Sequence, residues 1–511
     1  MYSEYLLGID IGTSSCKTIL LNQQGDIVRE TVVEYPLLVP QTGWVEQHPE
    51  DWWRAVKKSV KDLLSEINNK EKIRAIGLSG QMHGLVAMNK EGEVLRPCIL
   101  WNDQRSAPQC KKIYRRVGGK ENFLQYTNNS MLPGYTGGKI LWVRENEPHI
   151  YEKIAKIVLP KDYIRYRLTG EFATEVSDAS GTGLFDVQRR RWSDELLEIL
   201  EIPKEWLPRC YESSEISGVV SQAIADDLGL PRSVPVVGGG GDAVIQAIGA
   251  GVVSEDVATI VVGTAGIVSV SLPRYYHNSE GKLQLFCNAI PNKWIAIGVT
   301  LTAGSALRWF RDTLGSLEVA LSKELGENAY EILSREAKNS APGSQGLIFL
   351  PYLVGERCPY TDPHAKGVII GLGLHSTKSD ITRSIYEGVV YSLRDVLEWM
   401  NQVGISPTEI RASGGGAKSS FWRQIQADVF DKEVTAVRYS EEGAALAAAI
   451  IAGVGVGFWP TVEDAMSLFT IETRTKPLAG NVKVYHRMFA VYKKLYGQLK
   501  PIFNELSSFP L

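Results

Sequence analysis

Short apolar runs separated by turn residues dominate the beginning of the chain. YLLGIDI is followed by the turn Gly-Thr-Ser-Ser, a second apolar run that ends at Leu21, and Gln-Gly-Asp before a third run. This pattern predicts a β-hairpin and a third strand. The hairpin tip would carry one acid, Asp10, beside hydroxyls and backbone amides.

An amphipathic segment comes next, in HPEDWWRAVKKSVKDLLSEI. Pro49 suits a first helical turn, and Glu50 and Asp51 favour the positive end of a helix dipole. His48 is then a helix-entry residue rather than a ligand. The segment predicts a helix whose apolar face is formed by Trp53, Val56, Val60, Leu63 and Leu64.

Two later segments place polar residues directly after predicted strands. KIRAIGLSGQMHGLVAMN predicts strand, loop and strand, with Met82 and His83 in the loop. In SVPVVGGGGDAV, a short buried strand at residues 234–237 runs into four glycines and Asp242. Such loops lie at the carboxyl edge of a sheet, where open α/β sheets bind ligands.

Three interpretations of Asp242 remain open on the residues alone. The carboxylate could cap a helix by accepting backbone N–H bonds. Gly238, Gly240 and Ala243 also fit a dinucleotide loop, G-x-G-x-x-A, but a carboxylate there would repel a pyrophosphate. The third interpretation is a general base, which glycines would allow to approach a substrate closely.

The second half of the sequence echoes the first. VATIVVGTAGIVSVSL again predicts strand, Gly-Thr turn and strand, a weak internal repeat of the opening hairpin. EIRASGGGAKSSFWRQIQADVF predicts a strand, a Gly-rich turn and a helix. Paired hairpin tips and a Gly-rich turn favour a nucleotide site, whereas the P-loop pattern G-x-x-x-x-G-K-[ST] does not occur in the sequence.

Composition narrows the class of protein. The 511 residues favour two domains, and 44% hydrophobic with 22% charged residues is typical of a globular protein. A net charge of -3 argues against a nucleic-acid partner. The Ala-rich run at residues 443–459 is interrupted by glycines, which predicts a closely packed helix rather than a membrane span.

The cysteines and the N-terminus bear on the compartment. Six cysteines are scattered without a C-x-x-C pair, which indicates buried thiols in a reducing environment. The N-terminal segment has no basic region ahead of an apolar core. We therefore expect a cytoplasmic protein without a membrane partner, with a homodimer as one alternative for the oligomeric state.

Two long segments, GYTGGKILWVREN at residues 134–146 and GVIIGLGLHSTKSDITRSIYE at residues 367–387, resemble the signatures of the FGGY carbohydrate kinases. The resemblance runs through nearly the whole chain, and it implies an α/β fold of two actin-like ATPase (ribonuclease H-like) domains with a deep interdomain cleft. It also implies an N-terminal sugar-binding and catalytic-base domain at residues 1–248. Residues 249–511 would form the nucleotide-binding domain with its helical tail.

LSGQMHGLV, ILWNDQRS, LPKDYIRYRLTGEFATEVSDASGT and FLPYLVGERCP resemble the members of that family that phosphorylate xylulose. The implied reaction converts D-xylulose to D-xylulose 5-phosphate with ATP and Mg²⁺. Asp242 would be the catalytic base that takes the proton of the sugar hydroxyl, and Asp10 would lie near the metal. The resemblance implies sugar contacts from Met82, His83, Trp101 and Asp242, and ATP contacts from Gly12, Thr13, Ser14, Gly263, Thr264, Gly266, Gly415, Gly416 and Ala417.

The chain departs from the family pattern at two positions. Ala243 stands where xylulose-phosphorylating members commonly have Asn, which leaves the sugar open to alternatives such as ribulose, glycerol or gluconate. Ala265 replaces a serine in the second hairpin, but the backbone amides that bind phosphate remain. A non-catalytic actin-like ATPase switch is a weaker alternative, since it needs no sugar pocket, and a nucleotide-dependent dehydrogenase is weaker still.

Overall fold

A computed structural model describes residues 4–439 and 442–509. The chain divides into two compact units, each assembled from separate stretches of sequence. Unit 1 comprises Met1–Val253, Ser271–Ala296 and Glu442–Phe469, and unit 2 comprises Ser254–Val270, Ile297–Glu441 and Thr470–Leu511.

The strands are β1 (Tyr5–Ile11), β2 (Ser15–Asn22), β3 (Ile27–Glu34), β4 (Glu46–Gln47), β5 (Ile73–Gly80), β6 (Val86–Met88), β7 (Cys98–Ile99), β8 (Lys156–Val158), β9 (Ala173–Glu175), β10 (Phe185–Asp186), β11 (Arg191–Trp192), β12 (Arg209–Tyr211), β13 (Ile216–Val219), β14 (Pro235–Val237), β15 (Gly240–Gly241), β16 (Val257–Val262), β17 (Gly266–Leu272), β18 (Gln284–Cys287), β19 (Trp294–Thr300), β20 (Ile348–Leu350), β21 (Val368–Ile370), β22 (Glu409–Ser413), β23 (Val434–Val437) and β24 (Ile471–Thr475).

The α-helices are α1 (Pro49–Ser65), α2 (Ala107–Arg116), α3 (Lys120–Thr127), α4 (Thr136–Asn146), α5 (Pro148–Tyr151), α6 (Pro160–Thr169), α7 (Val176–Ser180), α8 (Asp194–Leu200), α9 (Gln222–Leu228), α10 (Asp242–Gly249), α11 (Gly304–Leu314), α12 (Ser316–Leu325), α13 (Ala329–Lys338), α14 (Lys378–Gln402), α15 (Ser420–Phe430), α16 (Gly443–Gly455), α17 (Val462–Met466) and α18 (Ala479–Ser507).

Unit 1 is built on a mixed sheet in the order β13–β14–β5–β1–β2–β3, with β15 also paired to β5. The predicted hairpin and third strand are confirmed as β1, β2 and β3, with β1 antiparallel to β2 and parallel to β5. The helix predicted after His48 is confirmed as α1, and its predicted apolar face is buried.

The Ala-rich helix α16 packs against β1 and β5, so the predicted close packing is confirmed. A Cβ added to Gly8 would lie 2.1 Å from the carbonyl oxygen of Ala445, and one added to Gly77 would lie 1.8 Å from that of Ala448. Any larger residue at these strand positions would push the helix away from the sheet. Small residues on both elements therefore set this close approach.

Unit 2 contains a second mixed sheet in which β17, β16, β22, β23 and β24 lie side by side. Strand β16 is antiparallel to β17 and parallel to β22, the same arrangement that β1 has with β2 and β5. The predicted strand, Gly-rich turn and helix after residue 408 are confirmed as β22 and α15. The weak repeat in the sequence therefore corresponds to a repeated strand arrangement.

Two further findings concern the whole described chain. Within the described residues none of the six cysteines forms a disulfide, and five of them are buried. Within residues 4–439 and 442–509, no helix has both the length and the apolar character needed to cross a lipid bilayer.

Candidate functional site

In unit 1, the two predicted acids lie at the same sheet edge, Asp10 as the penultimate residue of β1 and Asp242 directly after β15. Asp10 lies beside Ser79 in the parallel pair β1–β5, and Gly240 lies beside the same Ser79 in the pair β15–β5. Because parallel strands point the same way, the segments that follow them share one edge. The fold thus brings Asp10 and Asp242 into one region, although 231 residues separate them in sequence.

The glycines before Asp242 are required by close neighbours. Gly239 has φ +72°, and a Cβ there would lie 2.0 Å from the carbonyl oxygen of Leu78. A Cβ on Gly241 would lie 2.7 Å from Cγ of Met82. Only glycine fits at position 239, and at position 241 a larger residue would displace the Met82 side chain. The glycines therefore let this segment pair closely with β5 and place Asp242 beside the loop that carries Met82.

Asp242 opens helix α10, and its Oδ1 accepts a hydrogen bond from the Ala243 N–H at 2.6 Å. Burial and, to a smaller extent, the charge of the nearby Asp10 raise the pKa of Asp242 to about 7, while the Ala243 N–H opposes the shift. A carboxyl group with a pKa near neutrality can accept a proton efficiently. The side chain thus makes one cap-like bond and also has the electrostatics of a base.

Asp10 lies in a similar environment. Burial raises its pKa, while the nearby Ser79 hydroxyl and the charge of Lys17 oppose the rise. Its Oδ1 atom is buried without a hydrogen-bond partner within the described chain. Such an orphaned carboxylate oxygen is suited to a cation ligand.

This donor set fits a magnesium ion that arrives with a nucleotide. Mg²⁺ is commonly bound by one or two carboxylates together with substrate phosphates and water. In the described part of the chain, no group of three or more His, Cys, Asp or Glu side chains could hold a metal by itself. Asp10 can therefore supply one ligand, and the remaining ligands would come from phosphate and water.

His83 adopts φ +70°, an uncommon backbone conformation for a residue other than glycine. Its Nδ1–H donates to the carbonyl oxygen of Gly181 at 2.6 Å, which makes Nε2 an acceptor in the neutral ring. The carbonyl oxygen of His83 accepts from Lys139 Nζ at 2.8 Å and from Thr136 Oγ1 at 3.0 Å. The ring also packs against Tyr135, with the centroids 4.6 Å apart. The imidazole is therefore held from several sides.

The tip of the first hairpin is also held by side chains. Trp101 Nε1 donates to Thr13 Oγ1 at 3.0 Å, and the indole remains 39% exposed. Gln47 Nε2 donates to the carbonyl oxygen of Thr13 at 2.7 Å, and the Tyr35 hydroxyl donates to that of Ser15 at 2.9 Å. An exposed indole beside this turn can form the wall of a sugar site. Ser14 is exposed at the tip, and Gly12 is partly buried beside it.

Unit 2 contains a cavity of about 380 Å³ at the edge where β16 and β22 end together. Val261 pairs with Ser413, so the hairpin tip and the Gly-rich turn that follow them are neighbours. The cavity is lined by Val262, Gly263, Thr264, Gly304, Leu307, Arg308, Asn328, Tyr330, Glu331, Ser334, Tyr386, Gly415, Gly416, Lys418, Ser419 and Trp422. Backbone amides beside aromatic and apolar walls suit a nucleotide.

Four of the predicted nucleotide residues, Gly263, Thr264, Gly415 and Gly416, line this cavity. Gly266 and Ala417 lie outside the lining. Gly266 begins β17, where a Cβ would lie 2.6 Å from Cγ2 of Thr300, so this glycine permits close packing. The Ala417 N–H closes the turn by donating to the carbonyl oxygen of Gly414 at 3.0 Å.

Sequence reasoning missed the residues that hold these loops in place. Gln47 and Tyr35 lie in no local motif, so no pattern in the sequence predicts their contacts. The segment LPKDYIRYRLTGEFATEVSDASGT contributed only to the resemblance, although its charged residues are buried behind the Asp242 loop.

Two family models match the chain. The N-terminal domain model of the FGGY family of carbohydrate kinases matches residues 5–249, and the C-terminal domain model of the same family matches residues 258–456. A xylulose kinase from Bacillus subtilis is 37% identical over 509 residues, which is 99% of each chain. A gluconokinase from the same organism is 30% identical over 509 residues, 99% of this chain and 98% of the relative.

The crystal structure of a xyloylose kinase from Brucella ovis is similar in fold, with a TM-score of 0.89 and 33% identity over 98% of this chain and 100% of that one. The α/β fold with two mixed sheets, the matched domain models and the full-length relatives agree. This chain belongs to the FGGY family of carbohydrate kinases, which has the actin-like ATPase fold.

Proposed function

We propose that the protein transfers the γ-phosphoryl group of ATP to D-xylulose and forms D-xylulose 5-phosphate. The observation that carries the proposal is the pair Asp10 and Asp242 at one edge of the unit 1 sheet, with the pKa of Asp242 raised to about 7. The xylulose kinases among the full-length relatives support the choice of sugar.

Asp242 takes the proton of the sugar hydroxyl as that oxygen attacks the γ-phosphorus. The bond from the hydroxyl oxygen to phosphorus forms, the bond to the bridging oxygen of ATP breaks, and ADP leaves. Because the pKa of Asp242 is raised to about 7, the carboxylate can accept the proton and later release it to water.

Asp10 would hold the magnesium ion, and the bound ion would offset negative charge on the phosphate oxygens. Gly12, Thr13 and Ser14 lie around the phosphates. In unit 2, Gly263 and Thr264 hold phosphate, and Gly415 and Gly416 hold the rest of the nucleotide, while Gly266 and Ala417 support these two turns from outside the cavity lining. Met82, His83 and Trp101 surround the sugar.

We further propose that the domain boundary falls near residue 248, with residues 1–248 carrying sugar binding and the base and residues 249–511 carrying nucleotide binding. The cytoplasm is the compartment we propose for the enzyme, because both substrates are small metabolites found there.

The test is ADP release with Mg-ATP and a panel of ketoses, polyols and sugar acids. We expect D-xylulose to give the highest kcat/KM of the panel. Folded protein that releases no ADP above background with any of these sugars would end the kinase proposal.

A gluconate kinase is the second candidate, because Ala243 provides no polar side chain beside the base and a gluconokinase is among the relatives. The variant Ala243→Asn separates the two. If D-xylulose is the substrate and water fills the gap, the variant keeps or improves kcat/KM for D-xylulose. If it loses activity on the best sugar of the panel while gaining activity on D-xylulose, the pocket serves a different sugar.

A further inference from the structure

A network of charged side chains is completely buried in unit 1. It comprises Lys161, Asp162, Arg165, Glu175 and Asp178, and each of these side chains is 0% exposed. Lys161 Nζ lies 2.7 Å from Asp162 Oδ1, 3.2 Å from Asp178 Oδ2 and 3.4 Å from Glu175 Oε1. None of these residues is needed for the chemistry proposed above.

Stability alone gives a poor reason to bury such a network. Replacement of buried ion pairs by apolar side chains of similar size is often neutral or stabilising, because desolvation offsets the attraction. The network contains three acids and two bases, and burial raises the pKa of Asp178 well above its ordinary value although Lys161 opposes the rise. A protonated Asp178 would leave the buried group neutral.

The network contacts the Gly-rich loop at both of its ends. At the beginning, Arg165 donates to the carbonyl oxygens of Val237 and Gly238, at 2.6 Å each. At the end, the Gly241 N–H donates to Ser177 Oγ at 3.0 Å, and that hydroxyl donates to Glu175 Oε1 at 2.8 Å. The peptide that immediately precedes Asp242 is therefore tied to the network through one hydroxyl.

The same network is linked to His83. Glu175 caps helix α7 by accepting from the Ser177 and Asp178 N–H groups, at 2.7 and 2.8 Å. The residue directly after this five-residue helix, Gly181, accepts the hydrogen bond from His83 Nδ1 at 2.6 Å. A Cβ on Gly181 would lie 2.4 Å from the same nitrogen. The short helix α7 therefore connects the Gly-rich loop before Asp242 to the loop that carries His83.

We propose that the buried charge network positions Asp242 relative to His83, so that its members act as positioning residues for phosphoryl transfer. The inference rests on the proposed function, in which Asp242 is the base and His83 binds the sugar. Bidentate Arg contacts and charge-assisted bonds fix geometry more strictly than apolar packing does. A displacement of about 1 Å at a reacting group can lower the rate by about 10²-fold.

The sharpest test is Ser177→Ala, because it removes only the hydroxyl that links Glu175 to the Gly241 N–H. Ser59→Ala is the matched control. Ser59 on α1 is also fully buried in unit 1, and its hydroxyl lies 2.7 Å from Thr18 Oγ1 on β2. Within the described residues it makes no bond to the Gly-rich loop before Asp242. Arg165→Lys is a second variant, since it keeps the charge but cannot donate to two carbonyl groups in the same way.

We expect Ser177→Ala to lower kcat about tenfold while KM for ATP stays within twofold. We also expect it to shift the apparent pKa of the acidic limb in the pH profile of kcat/KM. Ser59→Ala should lower the Tm by about as much as Ser177→Ala does. It should leave kcat and the acidic limb of the kcat/KM profile within error of the parent. Arg165→Lys should lower kcat at least as much as Ser177→Ala.

The outcomes separate the two proposals. Ser177→Ala that matches Ser59→Ala in kcat and pH profile, while Asp242→Asn is strongly impaired, would overturn the positioning role and leave the proposed function intact. A parent enzyme without kinase activity would overturn the proposed function. Asp242→Asn with full turnover would overturn the role of Asp242 as the base. Either result would overturn this inference as well. If Arg165→Lys does not fold, the Ser177→Ala result decides alone.

Discussion

The hairpins β1–β2 and β16–β17 have the same strand arrangement but differ in the side chains near their turns. Both turn at a Gly-Thr pair, and each first strand pairs with a parallel strand on its other side. Two positions before Gly12 stands Asp10, whereas two positions before Gly263 stands Val261, which is 8% exposed. The acids of the candidate site thus belong to unit 1, and the hairpin of unit 2 offers mainly backbone groups.

The two tips are also supported differently. In unit 1, side chains of Trp101 and Gln47 bind Thr13. In unit 2, backbone N–H groups of Ala303 and Gly304 donate to the carbonyl oxygens of Thr264 and Gly263, at 3.0 and 2.7 Å. The Ser305 hydroxyl is the side chain that joins them, and it donates to the Thr264 carbonyl oxygen at 2.7 Å. The turn of unit 1 is thus held by side chains from distant segments, whereas the turn of unit 2 is held by the start of the one helix α11 and the residue before it.

The largest expected effect is that of Asp242→Asn, which should lower kcat about 10²- to 10⁴-fold, the usual contribution of general acid–base catalysis. Asn keeps the shape of the side chain but cannot take the proton. Nucleotide affinity, measured by titration with ADP, should stay within a few-fold. Asp226→Asn, an exposed acid on α9, is the control. Turnover of Asp242→Asn close to that of the parent would reduce Asp242 to a helix cap.

Asp10→Ala should weaken the binding of magnesium together with nucleotide. We expect the Mg²⁺ concentration for half-maximal ADP binding to rise about 10- to 100-fold, the range for a disturbed metal site. Calorimetric titration of the apoprotein with Mg-ADP measures this without turnover. An unchanged magnesium dependence would mean that the orphaned Oδ1 of Asp10 has another role.

His83→Ala should raise KM for the sugar far more than KM for ATP. A lost hydrogen bond and an unpaired buried hydroxyl cost about 1 to 3 kcal/mol, or about 5- to 150-fold. Steady-state kinetics at varied sugar and fixed saturating ATP measure the change. His149→Ala in the short helix α5 is the control and should leave both constants unchanged. Equal effects on the two KM values would contradict a sugar-binding role.

Gly416→Ala probes unit 2 in the same way and should have the smallest effect. A Cβ at this position would lie 2.5 Å from Cβ of Val262, so the turn must shift. We expect KM for ATP to rise about tenfold, consistent with the cost of mild overpacking, and KM for the sugar to stay constant. Gly480→Ala on α18, where no atom lies within 4 Å of the added Cβ, is the control. A larger change in KM for the sugar than in KM for ATP would contradict the proposal that unit 1 binds the sugar and unit 2 binds the nucleotide.

The strands, turns and amphipathic helices near the site were predictable because their signals are local. Apolar runs bounded by Gly-Thr or Gly-rich turns gave both hairpins, and α1 followed from its apolar face. The place of α16 was not predictable from local patterns, since its partners Gly8 and Gly77 lie more than 360 residues away in sequence.

The roles of the candidate site residues were predicted from the resemblance to the FGGY kinases. These roles stay predictions. The buried charge network was missed for a physical reason: hydrophobic patterns assign Lys, Asp, Glu and Arg to the surface, because burial of a charge is costly without a partner. Lys161 and Asp162 satisfy each other only after the chain has folded. The domain boundary near residue 248 also stays a prediction.

The pH dependence of stability differs in sign from that of activity. The pKa of Asp242 is raised from its unfolded value of about 3.9 to about 7 in the folded chain. Its contribution to stability is therefore fully present below about pH 4 and is lost as the pH rises through 7. Activity instead requires the ionised form. A loss of activity below pH 7 thus cannot come from unfolding caused by this group.

The assignment of Asp242 as the base is tested most sharply by the kcat/KM profile for the sugar from pH 5 to 9, in the parent and in Asp242→Asn. We expect kcat/KM of the parent to fall about tenfold per pH unit below an apparent pKa of about 7. We expect this acidic limb to be absent from the residual activity of Asp242→Asn. A parent profile that stays flat down to pH 5, or a limb that persists unchanged in Asp242→Asn, would contradict the assignment of Asp242 as the base.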